Sequence, residues 1–168
     1  MTFQFTSENT ERAKAIIAKY PKGRQLSALI PLLDLAQRQN NNWLSQEAMD
    51  YTADFLGVPR VHAYEAATFY TMFNLKPVGK HLLQVCTTIP CGMCGAAQVL
   101  RTCKDRLGIN TGETTKDGLF SIVEVECLGA CVHAPVVAIN DDYHEKLSSN
   151  KMLKIIDDLE KEQKNADR

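Results

Sequence analysis

Cys86-Thr-Thr-Ile-Pro-Cys91-Gly-Met-Cys94-Gly95, then Cys103, then Glu124-Val-Glu-Cys127-Leu-Gly-Ala-Cys131-Val-His133 together carry all six cysteines of the 168-residue chain. Two close pairs, Cys86-x4-Cys91 and Cys127-x3-Cys131, stand apart across a long insert, a spacing that reads as a metal site. Four thiolates are what a 2Fe-2S cluster requires, because each tetrahedral iron uses two bridging sulfides and takes two soft anionic ligands from the protein. Cys86/Cys91 and Cys127/Cys131 supply one pair per iron. Zinc is the alternative, although its structural sites favour shorter Cys-x2-Cys knuckles. No histidine pair completes a Rieske pattern, since His62, His81 and His144 lie outside the motif and only His133 is near it. A disulfide framework fits poorly in a chain without a secretory signal.

Outward from the cysteines, the flanking sequence has α/β texture. Leu82–Val85 reads as a short buried strand that delivers Cys86, and Ala96, Val99, Leu100, Cys103 and Leu107 mark a helix ending near Gly108. Cys91 is expected near that helix's N-terminus, where free N–H groups favour a thiolate. Leu119–Val125 reads as a second strand and Pro135–Ile139 as a third, joined through Asn140-Asp141-Asp142 to a fourth at Tyr143. Ser148 or Ser149 caps a closing helix carrying Met152, Ile155, Ile156 and Leu159, and residues 161–168 read as a frayed charged tail. Strand, helix, strand, hairpin, helix is a compressed thioredoxin order. The N–H groups of the Gly92, Gly95 and Gly129 loops are expected donors to sulfur.

Upstream, residues 7–75 read as helices. Ala13, Ile16, Ile17 and Tyr20 share a face, with Ser7 or Thr10 as cap and Pro21-Lys-Gly23 as the stop. Leu26, Leu29, Ile30 and Leu33 form a second stripe, followed by a Gln-Asn run from Gln37 to Asn42 read as a fraying end and loop. Ser45 caps a third helix stopped by Gly57 and Pro59, and Val61–Phe73 is an aromatic-rich fourth, read mainly as internal packing. Lys76-Pro-Val-Gly79 is the linker. The expected fold is therefore α+β, with an N-terminal helical bundle over residues 1–75 followed by a thioredoxin-like 2Fe-2S ferredoxin domain over residues 76–168.

A competing chemistry is visible in Pro90-Cys91-Gly-Met-Cys94, a Cys-x-x-Cys at a helix start after a strand. As a thioredoxin-type dithiol, Cys91 would be an exposed nucleophile of low pKa and Cys94 its buried resolving partner. That assignment leaves Cys86, Cys127 and Cys131 without a role. Cys103 lies on an apolar helix face, where a free cysteine behaves as a small hydrophobe.

Composition excludes other classes. The chain is 45% hydrophobic and 23% charged, with 19 basic and 20 acidic side chains and a net charge of -1. This is an ordinary globular balance with no electrostatic case for nucleic acid or an anionic membrane surface. No apolar run reaches the roughly 18 residues that span a bilayer, and Glu8 and Glu11 argue against a transit peptide. There is no G-x-G-x-x-G, no Walker pattern and no phosphate cradle.

Cys86-Thr-Thr-Ile-Pro-Cys91, Cys127-Leu-Gly-Ala-Cys131-Val-His-Ala-Pro135, Ala67-Thr-Phe-Tyr-Thr-Met-Phe-Asn74, Lys76-Pro-Val-Gly79 and Val136-Val-Ala-Ile-Asn-Asp-Asp-Tyr143 resemble the thioredoxin-like 2Fe-2S subunit of respiratory complex I. That family comprises the thioredoxin-like subunit of bacterial NADH-quinone oxidoreductase and the mitochondrial 24 kDa subunit. The resemblance covers most of the chain and departs at Gly92-Met93-Cys94 and at His133, where the family often has bulkier residues ending in a basic one and asparagine. It implies an electron-transfer subunit whose single cluster, on Cys86, Cys91, Cys127 and Cys131, accepts an electron from FMN. FMN and NADH are then expected on a partner flavoprotein, with a larger multi-cluster iron-sulfur subunit adjoining. It further implies a cytoplasmic bacterial protein, peripheral to the inner face of the plasma membrane through the complex. Equivalent subunits of NAD-linked hydrogenases and formate dehydrogenases share the motif and form the runner-up.

Overall fold

The computed structural model describes residues 3–166, and the chain divides into two compact units at the Val78–Gly79 junction. The architecture is α+β. The first unit holds α1 (Ser7–Ile17), a 3-10 turn (Gln25–Ala28), α2 (Leu29–Gln39), α3 (Gln46–Leu56) and α4 (Arg60–Phe69). Its core gathers Phe5, Ala13, Leu29, Leu32, Leu33, Leu44, Ala53, Ala63 and Phe73.

Local chemistry explains the helix ends. Ser45 Oγ accepts the Ala48 N–H at 3.2 Å and caps α3, which stops at Gly57 as its sequence indicates. In α1 the cap is Thr6, whose hydroxyl accepts from the Asn9 N–H at 3.2 Å, rather than Ser7 or Thr10. The helix also ends at Ile17, short of Pro21. The stripe beginning at Leu26 opens as a 3-10 turn before the α-helix proper. Pro31 falls in the first turn of α2, where a missing N–H costs little.

The Gln-Asn run does not begin a frayed end at Gln37. Gln37 is buried, donating to the Met72 carbonyl at 3.0 Å and accepting the Asn74 N–H at 2.7 Å, so its amide satisfies a returning loop. The aromatic block divides: α4 ends at Phe69, Phe73 enters the core, and Phe69 is 77% exposed and edge-on to Tyr70.

The second unit is a four-stranded mixed sheet of order β2-β1-β3-β4, formed by β1 (His81–Cys86), β2 (Phe120–Val125), β3 (Val137–Ile139) and β4 (Asp142–His144). β1 and β2 are parallel, with Cys86 opposite Val125, while β3 is antiparallel to both β1 and β4. α5 (Ile89–Met93) and α6 (Ala96–Leu107) follow β1, a 3-10 turn (Cys131–His133) precedes β3, and α7 (Ser149–Ala166) closes the fold. α6 packs on β1, β2 and α7. Leu83, Val85, Ile122, Phe120, Val137, Val99, Met152 and Ile156 make the core. Each such side chain contributes about 1.5–3 kcal/mol on burial.

Three details of this unit follow from single residues. Gly79 approaches the backbone of Phe120 so closely that a Cβ there would lie 2.6 Å from the Phe120 carbonyl carbon, and its N–H donates to Ser121 Oγ at 2.8 Å. Asn140, at φ 54°, turns β3 into β4 with Asp141, so β4 begins at Asp142 itself. α7 remains helical through Ala166 instead of fraying from Lys161, because its last turns hold good helix formers and the Asp158–Lys161 pair at 3.2 Å. Arg106 joins α6 to α7 through Asp157 and Glu160 at 2.8 and 3.0 Å. Among the described residues no helix is long and apolar enough to cross a membrane.

Candidate metal centre

Because β1 and β2 are parallel and adjacent, their C-terminal ends open on the same edge of the sheet. Cys86 is the last residue of β1, and Cys91 returns on α5. Both are 1% exposed, lying with Ala96 and Val136 against Leu128, Ala130 and Ala134. Cys127 follows β2 and Cys131 opens the 3-10 turn, and both are exposed. All six cysteines are free thiols.

The Cys127 and Cys131 sulfurs are 3.5 Å apart. That is far beyond a disulfide bond of about 2.05 Å. It is close to the roughly 3.8 Å that separates two thiolates on one tetrahedral metal with metal–sulfur bonds of about 2.3 Å. Cys86 and Cys91 lie near enough that each shifts the ionisation of the other. Cys91 also senses charge at Cys131, and Cys131 senses charge at Cys127 and Cys86, so the four sulfurs form one electrostatic group.

Their acidities differ for physical reasons. Burial pushes the Cys86 thiol up, but donation from the Thr88 hydroxyl, 3.3 Å away, and from the Leu128 and Thr88 N–H groups outweighs it and holds Cys86 below the ordinary thiol value. Burial and the neighbouring Cys86 sulfur push Cys91 up, opposed by the Val136 N–H. Cys131 is raised by its contact with Cys127 and then by burial. Cys91 and Cys131 resist ionisation as bare thiols, and a cationic metal core is the partner that suits them as thiolates. No three His, Cys, Asp or Glu side chains among the described residues converge on a single ion.

The donors are partly those expected. Gly129, at φ 81°, gives its N–H to Cys127 Sγ at 3.3 Å. The Gly92 and Gly95 N–H groups bond instead to the Thr88 and Gly92 carbonyls, at 2.8 and 3.2 Å. The Thr88 hydroxyl lies 3.3 Å from Cys86 Sγ, and the Leu128 and Val136 N–H groups favour the Cys86 and Cys91 thiolates. Thr88 had a signal in lying two residues after Cys86, whereas a main-chain N–H has none. Cys91 belongs to its own short helix, separated from α6 by Cys94 and Gly95.

The remaining thiols separate cleanly. Cys103 is fully buried on the core face of α6, and burial pushes its thiol up to about 12. Cys94 is exposed. The dithiol reading needs an exposed, acidified Cys91 and a buried Cys94, and both exposures are reversed here. His133 Nδ1 is 2.6 Å from Glu145 Oε2 and the His133 carbonyl accepts the Lys146 N–H at 2.8 Å, which fastens the Cys131 turn to the segment after β4. A groove of about 670 Å³ in the helical unit is lined by Leu29, Ile30, Ala66, Phe69 and Tyr70 and contains none of the cysteines.

Residues 13–160 match the family model of the thioredoxin-like [2Fe-2S] ferredoxin, so the match takes in most of the helical unit as well as the sheet. The chain is 57% identical over 157 residues to an NADH-quinone oxidoreductase subunit of Rickettsia bellii, covering 94% of each. It is 53% identical over 157 residues to mitochondrial NADH dehydrogenase [ubiquinone] flavoprotein 2 of Dictyostelium discoideum, covering 94% of this chain and 64% of that one. In fold it is similar to the NAD+-reducing [NiFe]-hydrogenase in the air-oxidized state, with TM-score 0.67 and 19% identity over 77% of this chain and 23% of that one. The chain belongs to the thioredoxin-like [2Fe-2S] ferredoxin family, together with these NADH-quinone oxidoreductase subunits.

Proposed function

We propose that Cys86, Cys91, Cys127 and Cys131 hold one 2Fe-2S cluster and that the chain is the thioredoxin-like electron-transfer subunit of an NADH-quinone oxidoreductase. The observation that carries this reading is the gathering of two thiol pairs, one buried and one exposed, at the adjoining ends of β1 and β2. When bound, a cluster of this kind carries one electron at a potential set by charge, hydrogen bonding and exposure. The protein's own part is preparation. The Thr88 hydroxyl and the Gly129 N–H lie 3.3 Å from the Cys86 and Cys127 sulfurs, and the Leu128 and Val136 N–H groups favour the Cys86 and Cys91 thiolates. The Cys86/Cys91 pair is walled from water, and the Cys127/Cys131 side remains open to a redox partner. No bond to a substrate is needed on this chain.

In this reading the cluster sits in a domain over residues 76–168, after a helical domain over residues 1–75. FMN and the NADH site lie on a partner flavoprotein subunit, and a larger multi-cluster iron-sulfur subunit adjoins. The complex works at the cytoplasmic face of the bacterial membrane, and this chain reaches the membrane only through it. Identity of 57% to an NADH-quinone oxidoreductase subunit favours this over the hydrogenase-type subunit, for which the likeness is one of fold.

Mixing experiments test the proposal. The lone chain is expected to leave NADH unoxidised, and NADH is expected to reduce its cluster once the flavoprotein partner is added. Saturable NADH binding by the lone chain in calorimetry would contradict it.

A further inference from the structure

Tyr143 is 51% exposed on β4, opposite Ala138, yet its hydroxyl turns back to donate to the Leu128 carbonyl at 2.8 Å. Leu128 lies between Cys127 and Cys131. Its carbonyl belongs to the same peptide unit as the Gly129 N–H, and that N–H donates to Cys127 Sγ at 3.3 Å. One peptide group therefore connects the phenol to the sulfur: Tyr143 O–H to Leu128 C=O, then Gly129 N–H to Cys127 Sγ.

Hydrogen bonds in series polarise one another, so a donor on the carbonyl makes the N–H at the far end of the same peptide a stronger donor. A stronger bond to a ligand sulfur favours the more negative, reduced form of a thiolate-held centre and raises its potential. The segment after β4 is itself fixed beside the ligand loop, by His133 Nδ1 to Glu145 at 2.6 Å and by the Lys146 N–H to the His133 carbonyl at 2.8 Å. The phenol is thus held where it acts.

We infer that Tyr143 is a positioning residue that raises the reduction potential of the centre by orienting and polarising the Leu128–Gly129 peptide toward Cys127. This rests on the proposal that Cys127 is a cluster ligand. It assigns a role to a residue that is not itself a ligand, and removal of one hydroxyl isolates that role.

The test uses the full chain with its cluster, as the parent, as Tyr143→Phe, and with 3-fluorotyrosine placed at 143, whose more acidic phenol is a stronger donor. Iron, acid-labile sulfide and thermal midpoint are measured beside an EPR-monitored redox titration below neutral pH. Tyr143→Phe is expected to keep its iron and to lose about threefold in the equilibrium constant for reduction, about 28 mV at the one-electron conversion of 59 mV per tenfold. The fluorotyrosine form is expected to shift the other way. If the phenylalanine variant fails to load, the fluorotyrosine form, which keeps the shape and the hydroxyl, decides by the sign of its shift alone. Fully loaded variants titrating at the parent potential overturn the role of Tyr143 and leave the cluster reading standing. A parent chain without labile sulfide overturns both.

Discussion

Cys91 and Cys94, three positions apart in a Cys-x-x-Cys, lie on opposite sides of the protein surface: Cys91 is 1% exposed and Cys94 is open to solvent. A dithiol that exchanges with substrates needs its first thiol accessible and acidic, whereas burial pushes Cys91 up. In the loaded chain, iodoacetamide is therefore expected to modify Cys94 while the metal-bound thiols stay protected. Cys94→Ser should keep full iron, and neither form should reduce insulin disulfides. Labelling of Cys91 ahead of Cys94, read by peptide mass mapping, would restore the dithiol assignment.

Cys103 behaves as a core residue. It is fully buried among Val99, Ile122 and Met152. Cys103→Ser places a hydroxyl there and is expected to cost about 1–3 kcal/mol in urea unfolding. Iron content should stay at the parent's level. Loss of iron with unchanged stability would make Cys103 a ligand and contradict the assignment.

Gly79→Ala tests the close approach that begins the second unit. The added Cβ would meet the Phe120 carbonyl carbon at 2.6 Å and the Phe120 nitrogen at 2.8 Å, both backbone atoms. Relieving that overlap is expected to cost about 1–3 kcal/mol. An unchanged urea midpoint would show that the β1–β2 edge tolerates the displacement.

His81 supplies a pH dependence. Burial, and then the charge of Lys80, lower its pKa from 6.5 in the fold, while it packs against Phe120 with ring centroids 5.4 Å apart. A histidine lowered on folding binds its proton more readily when unfolded. Its contribution is therefore complete above pH 6.5 and is lost as pH falls from there through the lowered folded value. His81→Gln removes that dependence, so the stability advantage of the parent over the variant should shrink between pH 8 and pH 5. A constant difference across that range would contradict it.

The sequence was informative wherever spacing alone carries the physics. Cys86-x4-Cys91 and Cys127-x3-Cys131 mark two close cysteine pairs, and a strand ahead of each brings them to one edge once the strands run parallel. Ser45 and Gly57 bracket α3 because capping depends on one side chain and one backbone conformation. Where neighbours compete, sequence decides less: three hydroxyl residues, Thr6, Ser7 and Thr10, lie within one helical turn of the α1 start, and only the path of the chain selects Thr6. Tertiary partners are less visible still. Gln37 is polar yet buried because Met72 and Asn74 need its amide, and no local pattern announces that Tyr143 reaches Leu128. Which N–H groups meet sulfur is equally hidden, since almost every residue carries one.

The most direct measurement is the iron and acid-labile sulfide content of the anaerobically purified chain, taken with the EPR spectrum of its reduced form. Four thiolates arranged as two pairs predict about two irons and two sulfides per chain and a single axial or rhombic signal on one-electron reduction. Stoichiometric zinc with no labile sulfide would contradict the assignment of Cys86, Cys91, Cys127 and Cys131 to a 2Fe-2S centre.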